Sequence, residues 1–294
     1  MRVATNSIFN SVANNIMRNQ ERFLDLNESI ASGKRVHKLS TDPPAVGQIL
    51  RFRTSIASVA QYQQNVERAN SWLALSEASL SHVSDALMRA KELALSHATG
   101  TASADSLAAA AVEVDGLLHQ TVEAGNARLG NQFLFAGRRT NTAPFLADGT
   151  YQGDSGTLDY QIGQHGSMTV NTPGDALFRG AGGGVDIIAV LQDLKTALEA
   201  HDQSGVESLL QPLDQSLSQV VNARAVVGAK MERLTAQKDQ LTEVSDQLTQ
   251  LLGETEGTDL AKAISDLTQQ QYAYEASLAA SAKIIQPTLL DFLS

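Results

Sequence analysis

Residues 66–94 read VERANSWLALSEASLSHVSDALMRAKELA, and within them Val66, Ala69, Leu73, Ser76, Leu80, Val83, Leu87, Ala90 and Ala94 recur at steps of three and four. A mean step of about 3.5 residues is the period of packed, supercoiled helices, so the stretch predicts one long helix with an unbroken inward stripe. No proline falls between residues 45 and 143, and Gly100 is placed to end that helix.

The same period appears on either side. Ahead of the Pro43-Pro44 break it runs Phe9, Val12, Ile16, Asn19, Phe23, Leu26, Ile30. A third helix is expected from Ser103 through Leu107, Ala111, Val114, Leu118 and Thr121. Further on, Leu213, Leu217, Val220, Arg224, Val227, Met231, Leu234, Lys238, Leu241, Ser245, Leu248 and Leu252 predict another long helix, with Pro212 in its first turn and Gly253 at its end. A last helix, with Thr258 as N-cap and Asp259 in its first turn, carries Leu260, Ile264, Leu267, Gln271, Tyr274, Leu278, Ser281 and Ile285.

The middle of the chain is of another kind. Twelve of the 21 glycines and six of the 14 aromatic residues lie between Gly130 and Gly184. Leu158, Tyr160 and Ile162 alternate, Gly163 to Gly166 can turn, and Met168 and Val170 alternate again, which predicts a β-hairpin. The expected fold is therefore mainly α: long antiparallel helices forming a rod with coiled-coil terminal arms, plus a small β-rich insertion. By chain order the arms are residues 1–32 and 258–294, the helical rod domain 33–137 and 185–257, and the insertion 138–184. If Asn19 faces Gln271 in an antiparallel arm pair, Val12 meets Leu278, Ile16 meets Tyr274, Phe23 meets Leu267 and Leu26 meets Ile264, each apolar side chain on another. The two amides would fix the register. A second row, Met17, Leu24 and Ala31, is left over for contact with another subunit.

Composition narrows the function. The 294 residues carry a net charge of −10, which disfavours nucleic-acid binding and adhesion to an anionic membrane. Charge is nonetheless uneven: residues 1–60 hold eight Lys or Arg against four acids, and residues 254–294 hold six acids against two lysines, so the two ends complement one another. No apolar run approaches the roughly 18 residues that membrane insertion requires, and the first 17 residues lack the continuous apolar core of a cleaved signal peptide. With no cysteine there is neither a disulfide nor a thiolate site.

Signals for catalysis are weak. Gly153-Asp154-Ser155-Gly156 copies the surroundings of a protease nucleophile, so a serine hydrolase at Ser155 is a distant alternative. The insertion is too short for the barrel such a site needs, and the nearest histidine, His165, falls in the expected hairpin turn. Gly180 to Gly184 lacks the GKS or GKT ending of a phosphate loop. The six histidines contain no i, i+4 pair and no metalloprotease motif, so no metal, cofactor or catalytic residue is expected.

Several segments resemble flagellin-like axial proteins of the bacterial flagellum. The heptad arm followed by Ala31-Ser32-Gly33-Lys34-Arg35-Val36 and Asp42-Pro43 is similar to the N-terminal region of that family, above all of its hook-filament junction members. Leu87 to Ala94 resembles the second-helix segment of flagellins. Asn131 to Gly137, Ala143-Pro144-Phe145 and Tyr151-Gln152-Gly153-Asp154 resemble the entry to their β domain, and Ala276 to Leu293 their C-terminus. Thr41-Asp42-Pro43 stands where junction proteins often have Asp-Asp-Pro, which loosens the boundary with filament flagellin, the alternative reading.

The resemblance implies a non-enzymatic structural adaptor between hook and filament, exported without a cleaved signal to the cell exterior. The implied partners are neighbouring copies of itself, an adjacent hook-associated protein, flagellin and a cytosolic export chaperone. The expected assembly surface is the two arm stripes: Phe9, Val12, Ile16, Asn19, Phe23, Leu26 and Ile30 with Leu260, Ile264, Leu267, Gln271, Tyr274, Leu278 and Ile285. The expected chaperone contacts are Leu278, Ile285, Leu289 and Phe292, an apolar stripe with nothing to bury it before assembly.

Overall fold

The computed structural model describes residues 2–38, 42–98 and 103–285. The chain is mainly helical. Helix α1 spans Arg2–Ser32, α2 Pro43–His97, α3 Ala104–Gly125, α4 Gly174–Phe178, α5 Ile187–Glu199, α6 Gln203–Ser208, α7 Leu210–Glu256 and α8 Leu260–Ile285. Two short hairpins lie between α3 and α4: β1 (Arg128–Leu129) with β2 (Gln132–Phe133), and β3 (Asp159–Gln161) with β4 (Ser167–Thr169). The residues form two compact units: Met1–Ser58 with Ser245–Ser294, and Val59–Val244.

In the 59–244 unit, all nine stripe residues of α2 from Val66 to Ala94 are buried, as their spacing predicts. The single tryptophan, Trp72, joins them, and Leu107, Val114, Leu191, Leu194, Val220, Val227 and Leu234 of α3, α5 and α7 complete the core. Arg224, an inward position of the α7 stripe, donates two hydrogen bonds to Glu77 of α2 at 2.9 and 2.6 Å, and Lys238 reaches Glu67 at 3.3 Å. Ser103 caps α3 by accepting from the Ser106 N–H, and Asp186 caps α5 by accepting from that of Ala189. Helix α5, which falls within the helical 185–257 segment expected from the sequence but is not delimited there, buries Ile187, Ile188, Leu191, Leu194 and Leu198.

The expected hairpin is β3–β4, with Tyr160 opposite Met168, while Ile162, Met168 and Val170 turn into the core. Phe178 packs edge-on with Phe135 and Phe145, and Tyr151 lies tilted against Phe145, with ring centroids 5.1 to 5.3 Å apart. Gly137 (φ +69°) lies so close to Asp154 that an added Cβ would stand 2.0 Å from the Asp154 carbonyl oxygen. Gly137 and these four rings are thus components of a tight core, whereas Gly163, Gly182 and Gly183 lie in open turns.

Two helix ends depart from expectation. Helix α7 runs through Gly253 to Glu256, and the Gly257 N–H closes its last turn on the Gly253 carbonyl at 2.7 Å. Helix α8 is capped by Asp259, whose carboxylate accepts from the Lys262 N–H at 3.1 Å; the expected cap, Thr258, instead donates its N–H to the Gly33 carbonyl at 3.0 Å. Gly100 lies outside the described residues, three positions beyond the end of α2. Among the described residues, no helix is long and apolar enough to cross a membrane.

Candidate assembly surface

The unit made from the two chain ends is built on α1 and α8, which run antiparallel. Val12, Ile16, Asn19, Phe23, Leu26 and Ile30 of α1 are half-buried, in line with the stripe read from the sequence. The α8 stripe is in a different phase from the expected one. Leu267, Tyr274 and Ser281 of the expected stripe do face inward, the first two half-buried and Ser281 buried, but their companions there are Ala263, Gln270 and Ser277, again at steps of four and three. Asn19 meets Gln270: the Gln270 side-chain amide donates to the Asn19 backbone carbonyl at 3.1 Å and to Asn19 Oδ1 at 3.4 Å. Gln271, the expected partner, faces outward and donates to Glu275.

The physical reason is volume. Small residues on α8 let that helix approach the large side chains of α1, and the more apolar α8 row points away. Leu260, Ile264 and Leu278 are 50, 54 and 42% exposed, while Met17 and Leu24 of α1 are 61 and 56% exposed. Ala31 is exposed as well. On the inward face of the pair, full burial reaches only Ser29, Ala263 and Ser281 among the described side chains, in contrast to the fully buried α2 stripe. Phe9 and Ile285 lie in α1 and α8, but their side chains, and all of Leu289 and Phe292, fall outside the described residues.

A clasp joins the end of α1 to the turn between α7 and α8. Gly33, in the left-handed region (φ +69°), reverses the chain, Lys34 pairs with Gly257 as a β-bridge, and the Arg35 N–H donates to the Glu256 carbonyl at 2.8 Å. The Glu256 carboxylate, almost buried, accepts from Lys34 at 2.6 Å and Arg53 at 2.7 Å. Burial by itself would raise this carboxyl's pKa; the two cationic partners outweigh it and hold the group below its ordinary 4.5. Val36 then packs with Ala45 and Ile49, against Val46 and Leu252. Asp42 caps α2 through the Ala45 N–H at 3.1 Å and accepts from Arg35 at 3.2 Å, and both bonds hold its carboxyl below the usual range. Pro43, beginning the helix, needs no N–H partner there. The segment Gly33 to Val36 and the pair Asp42-Pro43 thus do identifiable structural work. The uneven charge of the two chain ends anticipated that clasp without naming its residues.

A groove of about 920 Å³ opens beside it, lined by residues of α1, α8 and the intervening loops, among them Asp25, Ser29, His37, Lys262 and Asp266. In the other unit, Ser155 donates to Asp175 at 2.6 Å, and no histidine is among its described hydrogen-bond partners. The Gly153 to Gly156 motif is a turn whose Asp154 carboxylate accepts the N–H groups of Arg138 and Gly156, at 2.7 and 2.8 Å.

Two family profiles match the chain: the bacterial flagellin N-terminal helical region over residues 3–140, and the bacterial flagellin C-terminal helical region over residues 210–293. The flagellar hook-associated protein 3 of Escherichia coli is 27% identical over 95% of this chain and 96% of its own length. The flagellin of Bacillus subtilis is 25% identical over 97% of each. The crystal structure of Bacillus cereus FlgL superimposes with a TM-score of 0.61 at 25% identity, covering 69% of this chain and 99% of that one.

Proposed function

This chain belongs to the flagellin family, and from that premise we propose that it is a structural subunit joining the flagellar hook to the filament, assembled with neighbouring copies of itself through α1 and α8. The observation that carries the proposal is the incomplete arm pair. Its α1 side chains are half-buried, and it leaves Met17, Leu24, Leu260, Ile264 and Leu278 open to water. Covering one such side chain stabilises by about 1.5–3 kcal/mol, so neighbouring subunits that cover both rows supply the burial that the single chain lacks. On this reading α1 and α8 contact an adjacent hook-associated protein on one side and flagellin on the other. Before export a cytosolic chaperone shields the α8 row, with Leu278, Ile285, Leu289 and Phe292 as its contacts. Assembly takes place outside the cell, and the subunit performs no chemistry.

Alignment with a hook-associated protein along nearly the whole of both chains favours the junction role. The flagellin relative, aligned over as much of the chain, keeps filament flagellin as the second reading. Electron micrographs of cells lacking this gene decide between them. The junction role predicts hooks without filaments and monomeric flagellin in the medium, restored by the gene in trans; intact filaments in the mutant would refute it, and a purified protein that extends seeds into long filaments would establish the flagellin reading.

A further inference from the structure

We propose that Asp25, Glu28 and His37 form a binding site for one divalent transition-metal ion of the zinc class at the C-terminal end of α1. Asp25 and Glu28 stand three residues apart on one face of α1. The chain reversal at Gly33, held by the clasp to Glu256, brings His37 back over that face. His37 Nε2 then lies 3.5 Å from Glu28 Oε2 and 3.8 Å from Asp25 Oδ1, and one donor atom from each of the three residues lies within 4.8 Å of the others.

The imidazole makes this more than an acidic surface patch. Its side chain is only 10% exposed, and both ring nitrogens are buried without a hydrogen-bond partner among the described residues. A buried polar atom left unpaired costs about 1–3 kcal/mol, and an ion at this point would satisfy Nε2. Bonds of about 2.0–2.2 Å in tetrahedral geometry separate donors by about 3.4 Å, close to the 3.5 and 3.8 Å that separate His37 Nε2 from the two carboxylates. One imidazole nitrogen with two carboxylate oxygens suits zinc; calcium and magnesium require more oxygen ligands in larger shells. Asp25 and His37 also line the 920 Å³ groove, which provides an entry path and room for a water as fourth ligand.

Lys38 already fills part of this negative pocket, hydrogen-bonded to Asp25 and 3.9 Å from Glu28. Its side chain is half-exposed and free to swing outward, so it acts as a built-in competitor of the ion. That gives the proposal a distinctive signature: removing Lys38 tightens metal binding, whereas removing an ordinary surface lysine does not.

The test is calorimetric titration of the full chain with Zn²⁺ at neutral pH and physiological salt. Expected are one ion per chain, a loss of at least about tenfold in affinity for His37→Ala, the size of effect that even an outer partner of a metal ligand typically shows, and tighter binding for Lys38→Ala. In ¹⁵N-histidine NMR, the His37 Nε2 resonance moves on zinc addition, a readout that does not depend on the variants folding well. Absence of saturable binding, undiminished binding in His37→Ala, unchanged affinity in Lys38→Ala or a stationary His37 resonance would each overturn the site.

Discussion

Glu256 concentrates several forces in one carboxylate: it is nearly buried, it accepts from two half-exposed cations, and its own backbone carbonyl accepts from Arg35. Its folded pKa lies below 4.5, so the clasp contributes its full stability above about pH 4.5 and loses it as the pH falls through the depressed folded value. The protection factors of the Arg35 and Thr258 amides, referenced to the intrinsic exchange rate at each pH, should therefore fall on acidification below pH 4.5, ahead of those in the 59–244 core. Glu256→Gln should abolish that pH dependence and cost about 1 kcal/mol, the low end for a lost charged partner because solvent screens Lys34 and Arg53. An acid profile identical in the two proteins would show that the carboxylate contributes nothing. His37 illustrates the limit of reading at this scale. Its position nine residues after Glu28 says nothing about contact until Gly33 reverses the chain, and that reversal depends on a partner more than 200 residues away.

At the scale of the element, the contrast between α2 and α8 explains what the sequence makes visible. The α2 stripe could be read to the residue because every position in it is covered, and a buried face leaves one apolar period. Helix α8 carries two rows one residue apart, Ala263, Gln270 and Ser277 beside Leu260, Ile264, Gln271 and Leu278, which share Leu267, Tyr274 and Ser281 between them. Choosing the more apolar row assumes that the strongest burial lies within the chain. Here steric fit sets the internal seam and the oily row remains outside. The phase yields a direct test: Ile264→Ser and Leu278→Ser should change the melting free energy of the isolated chain by no more than about 0.5 kcal/mol while sharply reducing incorporation into flagella. Leu267→Ala should cost the isolated chain about 1–2 kcal/mol, less than a fully buried leucine because its site is half-covered. If the serine variants destabilise the monomer more than Leu267→Ala does, the assignment of the two faces is wrong. The hairpins show the converse limit: β3–β4 was legible from alternation, whereas β1–β2, two residues per strand, is too short to leave a period.

At the scale of the whole molecule, the chain closes one unit from its two ends and the other from its middle. The central unit has its own buried core, including Trp72 at 1% exposure, so residues 59–244 should fold when expressed alone. The measurement is fluorescence: the fragment's single tryptophan should emit as in the full chain and unfold cooperatively, while an emission typical of solvent-exposed indole would show that the middle depends on the ends. The nesting also has a consequence in time. Gly33 and Thr258, hydrogen-bonded in the clasp, are 225 residues apart in sequence. At about 5–20 residues per second, a ribosome delivers the second roughly 11–45 s after the first. Throughout that interval α1 lacks α8, whereas the central unit, which ends at Val244, is complete before the second helix of the terminal pair begins at Leu260. Contacts of such long sequence separation are also intrinsically slow to form. Synthesis therefore imposes an order, middle first and ends last, and the chain leaves the ribosome with its terminal unit as its most recently closed and most readily reopened part.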